Sequence, residues 1–216
     1  MKEPRAVIFD LDGVLADTAR FHYLAWKRLA DELGVEFDET INERLKGVDR
    51  TRSLEIILER AGRFFSPEEK SALAARKNEA YLEMVKAMTP ADALPGTIAV
   101  LNDLRARKIK IGLASVSKNA PVVLGRLGIA SYFDAVADPG QVLRGKPDPE
   151  IFLTVAKRLG TEAGACIGVE DAVVGILAIK RAGMYAVGVG DPAVLTEADE
   201  VIPDLTAFHI ERYFRR

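Results

Sequence analysis

FDLDGVLADT, residues 9–18, closes an apolar run, Ala6-Val7-Ile8, on a pair of acids. The run reads as a strand that stops at Asp10, with a second carboxylate at Asp12 and Gly13 supplying a sharp departure. Residues two apart on an extended backbone face the same way, so both carboxylates are expected in one pocket, as a nucleophile with a proton carrier beside it. An EF-hand calcium loop is excluded. It needs an acid or amide at its fifth position and glycine at its sixth, where Val14 and Leu15 stand. A strand end whose aspartates merely start a turn stays open at this point.

The residues beyond 18 decide how the strand is used. Phe21, Leu24, Ala25, Leu29 and Leu33 recur at helical spacing up to Gly34, with Asp17 or Thr18 as cap. A short segment over 38–45 comes next, then Lys46-Gly47-Val48-Asp49-Arg50 and a helix through Leu54, Ile57 and Leu58. A long helix opens on Ser66-Pro67-Glu68-Glu69, which has serine at the cap, proline in the first turn and glutamate placed to close a capping box. From 17 to about 88 there is no strand pattern, so the first strand leads into an all-helical insertion that returns through Thr89-Pro90 and Leu94-Pro95-Gly96.

Beyond the insertion the periods alternate. Helices are expected over 97–108, from Asn119, over 149–159 and over 172–182, interleaved with strands over 109–114, 135–137, 165–169 and 186–189. A weaker strand at Val201-Ile202 and a terminal helix close the chain. This pattern predicts an α/β protein with a doubly wound parallel sheet. Its core comprises residues 1–15 and 92–216, and a helical cap comprises 16–91.

Composition narrows the function classes. The 216 residues suit one buried core with an appended element, and 49% apolar residues, 29% charged residues and a net charge of −2 describe an ordinary soluble protein. Basic segments such as 105–110 are broken by apolar residues, which argues against nucleic-acid binding. Cys166, the single cysteine, excludes an intrachain disulfide and a multi-cysteine zinc site, and within the apolar run 165–169 it reads as a core residue. No signal or membrane-spanning segment is expected, and a cytoplasmic location is the default.

In a doubly wound sheet the ligand crevice lies at the carboxyl ends of the strands, so the residues just after each strand belong together. They are Asp10 and Asp12, Ser115, Lys146, and Glu170 with Asp171. Singly, each has a plainer reading: a turn hydroxyl, a surface cation before the Pro147-Asp148-Pro149 helix start, acids favoured at a helix N-terminus. Jointly they describe phosphoryl transfer. Clustered carboxylates repel one another unless a cation lies among them, and an all-oxygen, partly hydrated site suits magnesium. Asp10 can then attack phosphorus, Ser115 and Lys146 hold the equatorial oxygens, and Asp12 carries the substrate proton. Ser117, Lys118 and Asn119 before a helix with Pro121 in its first turn offer a second anion site, or Ser117 or Asn119 simply caps that helix.

These four ordered motifs, with Asp10-Leu11-Asp12-Gly13-Val14 first and Gly168-Val169-Glu170-Asp171 last, resemble those of the haloacid dehalogenase superfamily over essentially the whole chain. The resemblance implies a Rossmann-like core with Asp10 as nucleophile and Asp12 as general acid/base and magnesium ligand through its backbone carbonyl. It also implies Asp171 as a direct ligand, and Glu170 bound directly or through water. The cap residues are similar to those of the β-phosphoglucomutase family: Thr18, His22, Trp26, Lys46, Gly47, Val48, Arg50, Ser53, and Lys77 within Arg76-Lys77-Asn78. So is the run Ser115-Val116-Ser117-Lys118-Asn119. That family interconverts β-glucose 1-phosphate and glucose 6-phosphate with β-glucose 1,6-bisphosphate as activator and intermediate. The resemblance implies Thr18 and His22 in the catalytic set, and Trp26, Lys46, Gly47, Val48, Arg50, Ser53, Lys77, Val116, Ser117, Lys118 and Asn119 around the substrate. It also implies one magnesium ion per site, small sugar phosphates as partners, no nucleic-acid or membrane partner, and a monomer. Val116 is bulkier than the residue expected there, and Asp148 stands where a small residue is expected. Taken without the resemblance, Arg50 suits a solvated helix start, His22 a surface and Trp26 an anchor between cap and core. A sugar phosphatase and a non-catalytic, receiver-like phosphate-binding module are the competing readings.

Overall fold

The computed structural model describes residues 3–213. Six parallel strands form its frame: β1 (Ala6–Phe9), β2 (Lys110–Leu113), β3 (Ala135–Val136), β4 (Cys166–Glu170), β5 (Tyr185–Val189) and β6 (Glu200–Ile202). Their spatial order is β3-β2-β1-β4-β5-β6. β1 lies at the centre and is buried on both faces, which is why it reads as an unbroken apolar AVIF rather than an alternation. Val7 and Phe9 join the apolar cluster beneath α5 (Thr97–Ala106) and α6 (Ala120–Leu127). Ala6 and Ile8 join the cluster on the opposite face, beneath α7 (Glu150–Arg158) and α8 (Val173–Arg181).

The chain winds outward from β1 through β2 to β3, then returns to the other side of β1 as β4. That reversal is the doubly wound switch point, where a crevice opens beyond the strand ends. Register fills it. Phe9 lies opposite both Leu113 and Val169, so Asp10, the Ala114-Ser115 pair and Glu170-Asp171 emerge side by side. The Asp10 N–H donates to the Val169 carbonyl at 2.9 Å, and the Ala114 N–H to the Phe9 carbonyl at 2.8 Å.

Between β1 and α5 lie the four helices of the insertion, α1 (Ala19–Glu32), α2 (Glu39–Glu43), α3 (Arg50–Leu58) and α4 (Pro67–Lys86). They build an apolar cluster of their own around Trp26, Leu29, Phe37, Leu54, Ile57 and Leu73. The lower turns of α1 and α4 instead send Phe21, Ala25, Tyr81 and Val85 into the cluster against the sheet. The expected capping box at Ser66 and Glu69 is present. The two connections to the core run beside each other: the Leu94 N–H donates to the Leu15 carbonyl at 3.0 Å, and Ala16 bridges to Ala93.

Three expectations are corrected. Neither Asp17 nor Thr18 caps α1: Thr18 occupies the cap position with a helical backbone, and its hydroxyl is engaged by Asp12 instead. Leu24 is 45% exposed, because the buried stripe of α1 runs through 21, 25, 26, 29 and 30 and leaves residue 24 to one side. Among the described residues, the terminal helix is replaced by two 3-10 turns, Leu205–Ala207 and Ile210–Tyr213. The Asp204 carboxylate accepts the Thr206 N–H at 2.8 Å, a local bond that holds a turn in competition with a helix. No helix of the described residues is long and apolar enough to cross a membrane.

Candidate active site

The tip of β1 sets the floor of the site. Gly13 takes a φ of 80°, and a Cβ there would stand 2.3 Å from Asp171 Oδ2, so the turn after Asp12 needs glycine for both backbone and space. Both Asp10 oxygens are engaged: Oδ1 accepts from Lys146 Nζ at 2.6 Å and Oδ2 from the Asp12 N–H at 3.0 Å. Lys146 also donates to Glu170 Oε2 at 2.7 Å, and neither side chain of that pair reaches solvent. Glu170 Oε1 accepts the Ala172 N–H at the start of α8. Ser115, buried, accepts the Ser117 N–H on its Oγ at 3.1 Å, which fixes its hydroxyl beside the floor.

One lysine serves several acids. Burial first, then Asp10, push Glu170 well above the usual carboxylate range, against the pull of Lys146. Asp171 rises to about 7, from burial and then Asp10. Burial opposes the charge on Lys146, yet Asp10 and Glu170 hold its ammonium above its ordinary value. Carboxylate oxygens of Asp10, Glu170 and Asp171 lie within 4.8 Å of one another. A hard, oxygen-only donor set with surplus negative charge fits magnesium. The Asp12 side chain is outside this set.

Asp12 turns toward the cap. Its Oδ1 accepts from the Thr18 hydroxyl and lies 3.7 Å from His22 Nε2. Burial and the neighbouring Asp10 raise it to about 6, while Thr18 pulls the other way. His22 Nδ1 is 2.7 Å from Lys77 Nζ, so Lys77 as donor places the ring proton on Nε2, toward Asp12. Burial, Lys77 and Arg50 hold His22 well below its ordinary value. Lys77 is itself lowered to about 7 by burial and Arg50, with its ammonium 4.5 Å from the Trp26 ring centroid.

A cleft of about 950 Å³ lies between floor and cap. Of the residues expected at the site, Asp10, Asp12, His22, Trp26, Lys46, Gly47, Val48, Arg50, Ser53, Lys77, Val116, Ser117, Lys118 and Asp171 line it. Thr18, Ser115, Lys146 and Glu170 lie beneath its walls, buried against the lining residues. Asn119 is also off the lining: its side chain makes no capping bond, and its amide donates to Asn78 on α4 at 2.8 Å. Asp148 is not a wall residue either, since it accepts the Glu150 N–H at 3.0 Å and pairs with Arg144. Val116 does reach the cleft.

Tyr81 was not singled out by the sequence. Its ring stacks on His22 at 4.2 Å between centroids and faces the Lys77 ammonium at 5.1 Å. The signal is there in retrospect: His22 and Trp26 are four apart on α1, Lys77 and Tyr81 four apart on α4, so each pair shares a helix face.

The family model for haloacid dehalogenase-like hydrolases matches residues 4–183. The β-phosphoglucomutase of Bacillus subtilis is 47% identical over 209 residues, 96% of this chain and 92% of that one. A phosphorylated-carbohydrate phosphatase of Thermotoga maritima is 33% identical, over 91% and 92% of the two chains. Among solved structures, β-phosphoglucomutase from Clostridium difficile superposes with a TM-score of 0.93 at 45% identity, over 97% of this chain and 95% of that one.

Proposed function

The chain belongs to the haloacid dehalogenase-like hydrolase family, and on that premise we propose that it is a β-phosphoglucomutase. It interconverts β-glucose 1-phosphate and glucose 6-phosphate through an aspartyl-phosphate on Asp10 and β-glucose 1,6-bisphosphate. The observation that carries this reading is the double character of one cleft. Its floor holds a nucleophile-bearing acid cluster, and the same cleft is also lined by Arg50 from the cap and by Ser117 and Lys118 from the core, which offer donors to a second phosphate of the sugar.

The chemistry divides between two aspartates. An Asp10 oxygen bonds to phosphorus as the bond from phosphorus to the sugar oxygen breaks, and that oxygen takes its proton from Asp12. In the other half-reaction a sugar hydroxyl gives its proton to Asp12 and attacks the aspartyl-phosphate, which frees Asp10. An Asp12 carboxyl raised to about 6 serves both directions near neutral pH. Thr18 holds it by a hydrogen bond, His22 lies beside it with Nε2 at 3.7 Å, and Lys77 holds the tautomer of His22. Ser115 and Lys146 meet the oxygens of the phosphoryl group in transfer. Asp10, Asp171 and the Asp12 carbonyl, with Glu170 alongside, would hold magnesium, which when bound would neutralise charge on the transferring group. Residues 16–91 act as the cap that excludes water from this exchange.

The deciding test supplies magnesium, β-glucose 1-phosphate and a trace of the bisphosphate, and tracks both products. Glucose 6-phosphate is expected, formed only while magnesium is free of chelator. Release of inorganic phosphate in its place would make the protein a sugar phosphatase.

A further inference from the structure

Each acid of the Glu170-Asp171 pair rests against a glycine. At Gly13 a positive φ already demands glycine, but Gly175, the third residue of α8, has an ordinary helical backbone. Alanine is the better helix former at such a position. What glycine provides there is space. A Cβ built on Gly175 would lie 2.0 Å from Glu170 Cδ, 2.1 Å from its Oε2 and 2.3 Å from its Cγ, and those three atoms are its nearest neighbours. The Glu170 side chain occupies the volume that any other residue at 175 would fill.

We propose that Gly175 is a positioning residue for the site: its bare backbone is the seat on which the Glu170 carboxylate lies. The seat explains how one carboxylate satisfies three demands. With Oε2 it reaches Lys146 at 2.7 Å, with Oε1 it accepts the Ala172 N–H at the positive end of α8, and it stays within the acid cluster with Asp10 and Asp171. A Cβ at 175 displaces Cγ, Cδ and Oε2 together, so no rotation of the terminal carboxylate alone relieves the contact. Glu170 must leave Lys146, which then has Asp10 as its remaining carboxylate partner among the described residues. This inference rests on reading the acid cluster as the magnesium site, and on nothing about which sugar is bound.

The test is a double-variant cycle, Gly175→Ala with and without Glu170→Ala, read by magnesium titration and by thermal melting in chelator. Glu170→Ala removes all three atoms that the new Cβ meets. With Glu170 in place, Gly175→Ala is expected to weaken magnesium binding by about tenfold or more and to lower the melting temperature. In the Glu170→Ala background, the same change should leave magnesium affinity within about twofold and raise the melting temperature, since only helix propensity is then left. Unchanged affinity with a raised melting temperature while Glu170 is present would overturn the proposal, and so would equal losses in both backgrounds. If wild type binds no magnesium, the metal reading fails separately, and opposite signs of the melting shift still uphold the seat. If Gly175→Ala does not fold, folding of the double variant upholds the seat and its failure overturns it.

Discussion

Floor and cap of the cleft bury charge in opposite ways. The floor gathers Asp10, Glu170 and Asp171 around Lys146, so acids outnumber their cation and Glu170 and Asp171 are pushed toward their neutral forms. The cap gathers Lys77 and His22 against Trp26 and Tyr81 with Arg50 nearby and Asp12 as the carboxylate turned toward them, and burial lowers all three bases from their ordinary values. An isolated buried charge is costly, and neither set is balanced within itself. The lesson is one of complementarity: the floor lacks a cation and the cap an anion, and the magnesium and phosphorylated substrate of the proposed function would supply both.

The harshest test of that contrast is at the floor. Asp10→Asn keeps shape but removes nucleophile and charge, and turnover should fall by about 10⁴-fold or more while thermal stability is retained. Activity within tenfold of wild type would remove Asp10 from the reaction. Asp12 lies at the boundary between the two sets. Asp12→Asn should slow turnover by about 10²- to 10⁴-fold with a smaller change in magnesium affinity, because the backbone carbonyl is unaltered. A metal titration that accounts for the whole defect would make Asp12 a ligand only.

On the cap side the effects are smaller. Arg50→Ala should cost roughly 1.5 to 3 kcal/mol of transition-state stabilisation, about ten- to a hundredfold, in transfer from the bisphosphate. Slow hydrolysis of acetyl phosphate, which has one phosphate, should be nearly unchanged, and equal losses in both assays would assign Arg50 to cap docking. Lys77→Met tests the cationic surplus itself. The folded-state value of Lys77, about 7, is below its ordinary 10.5, so its contribution is complete above 10.5, is lost as pH falls toward 7 and is constant below that. The variant should therefore melt a few degrees above wild type at pH 7, with the gap closing toward pH 10.5. A gap independent of pH would mean that Lys77 is not held near neutrality.

Much of this was legible in the chain order. The apolar AVIF ending on Asp10, the capping box at Ser66 and the alternating periods after residue 96 are local signals, and they lead to the sheet and its insertion. The strand-tip residues were legible for the same reason, since a parallel sheet brings the ends of its strands to one edge. Thr18 was read as a possible cap and proved to serve Asp12, because a hydroxyl chooses between the helix backbone and a carboxylate that only folding brings near.

Sequence alone determined which residue types stand at the strand tips, since period and turn chemistry are properties of neighbours along the chain. Only the tertiary structure decided that Asp12 faces His22 while Asp10 faces Lys146, that Asn119 is held by Asn78 rather than lining the cleft, and that Tyr81 backs the imidazole. These contacts join residues 10 to 136 positions apart, between side chains that are buried or half-buried in the fold. Their pKa values depend on which charges share that burial, and a linear order of residues does not carry it.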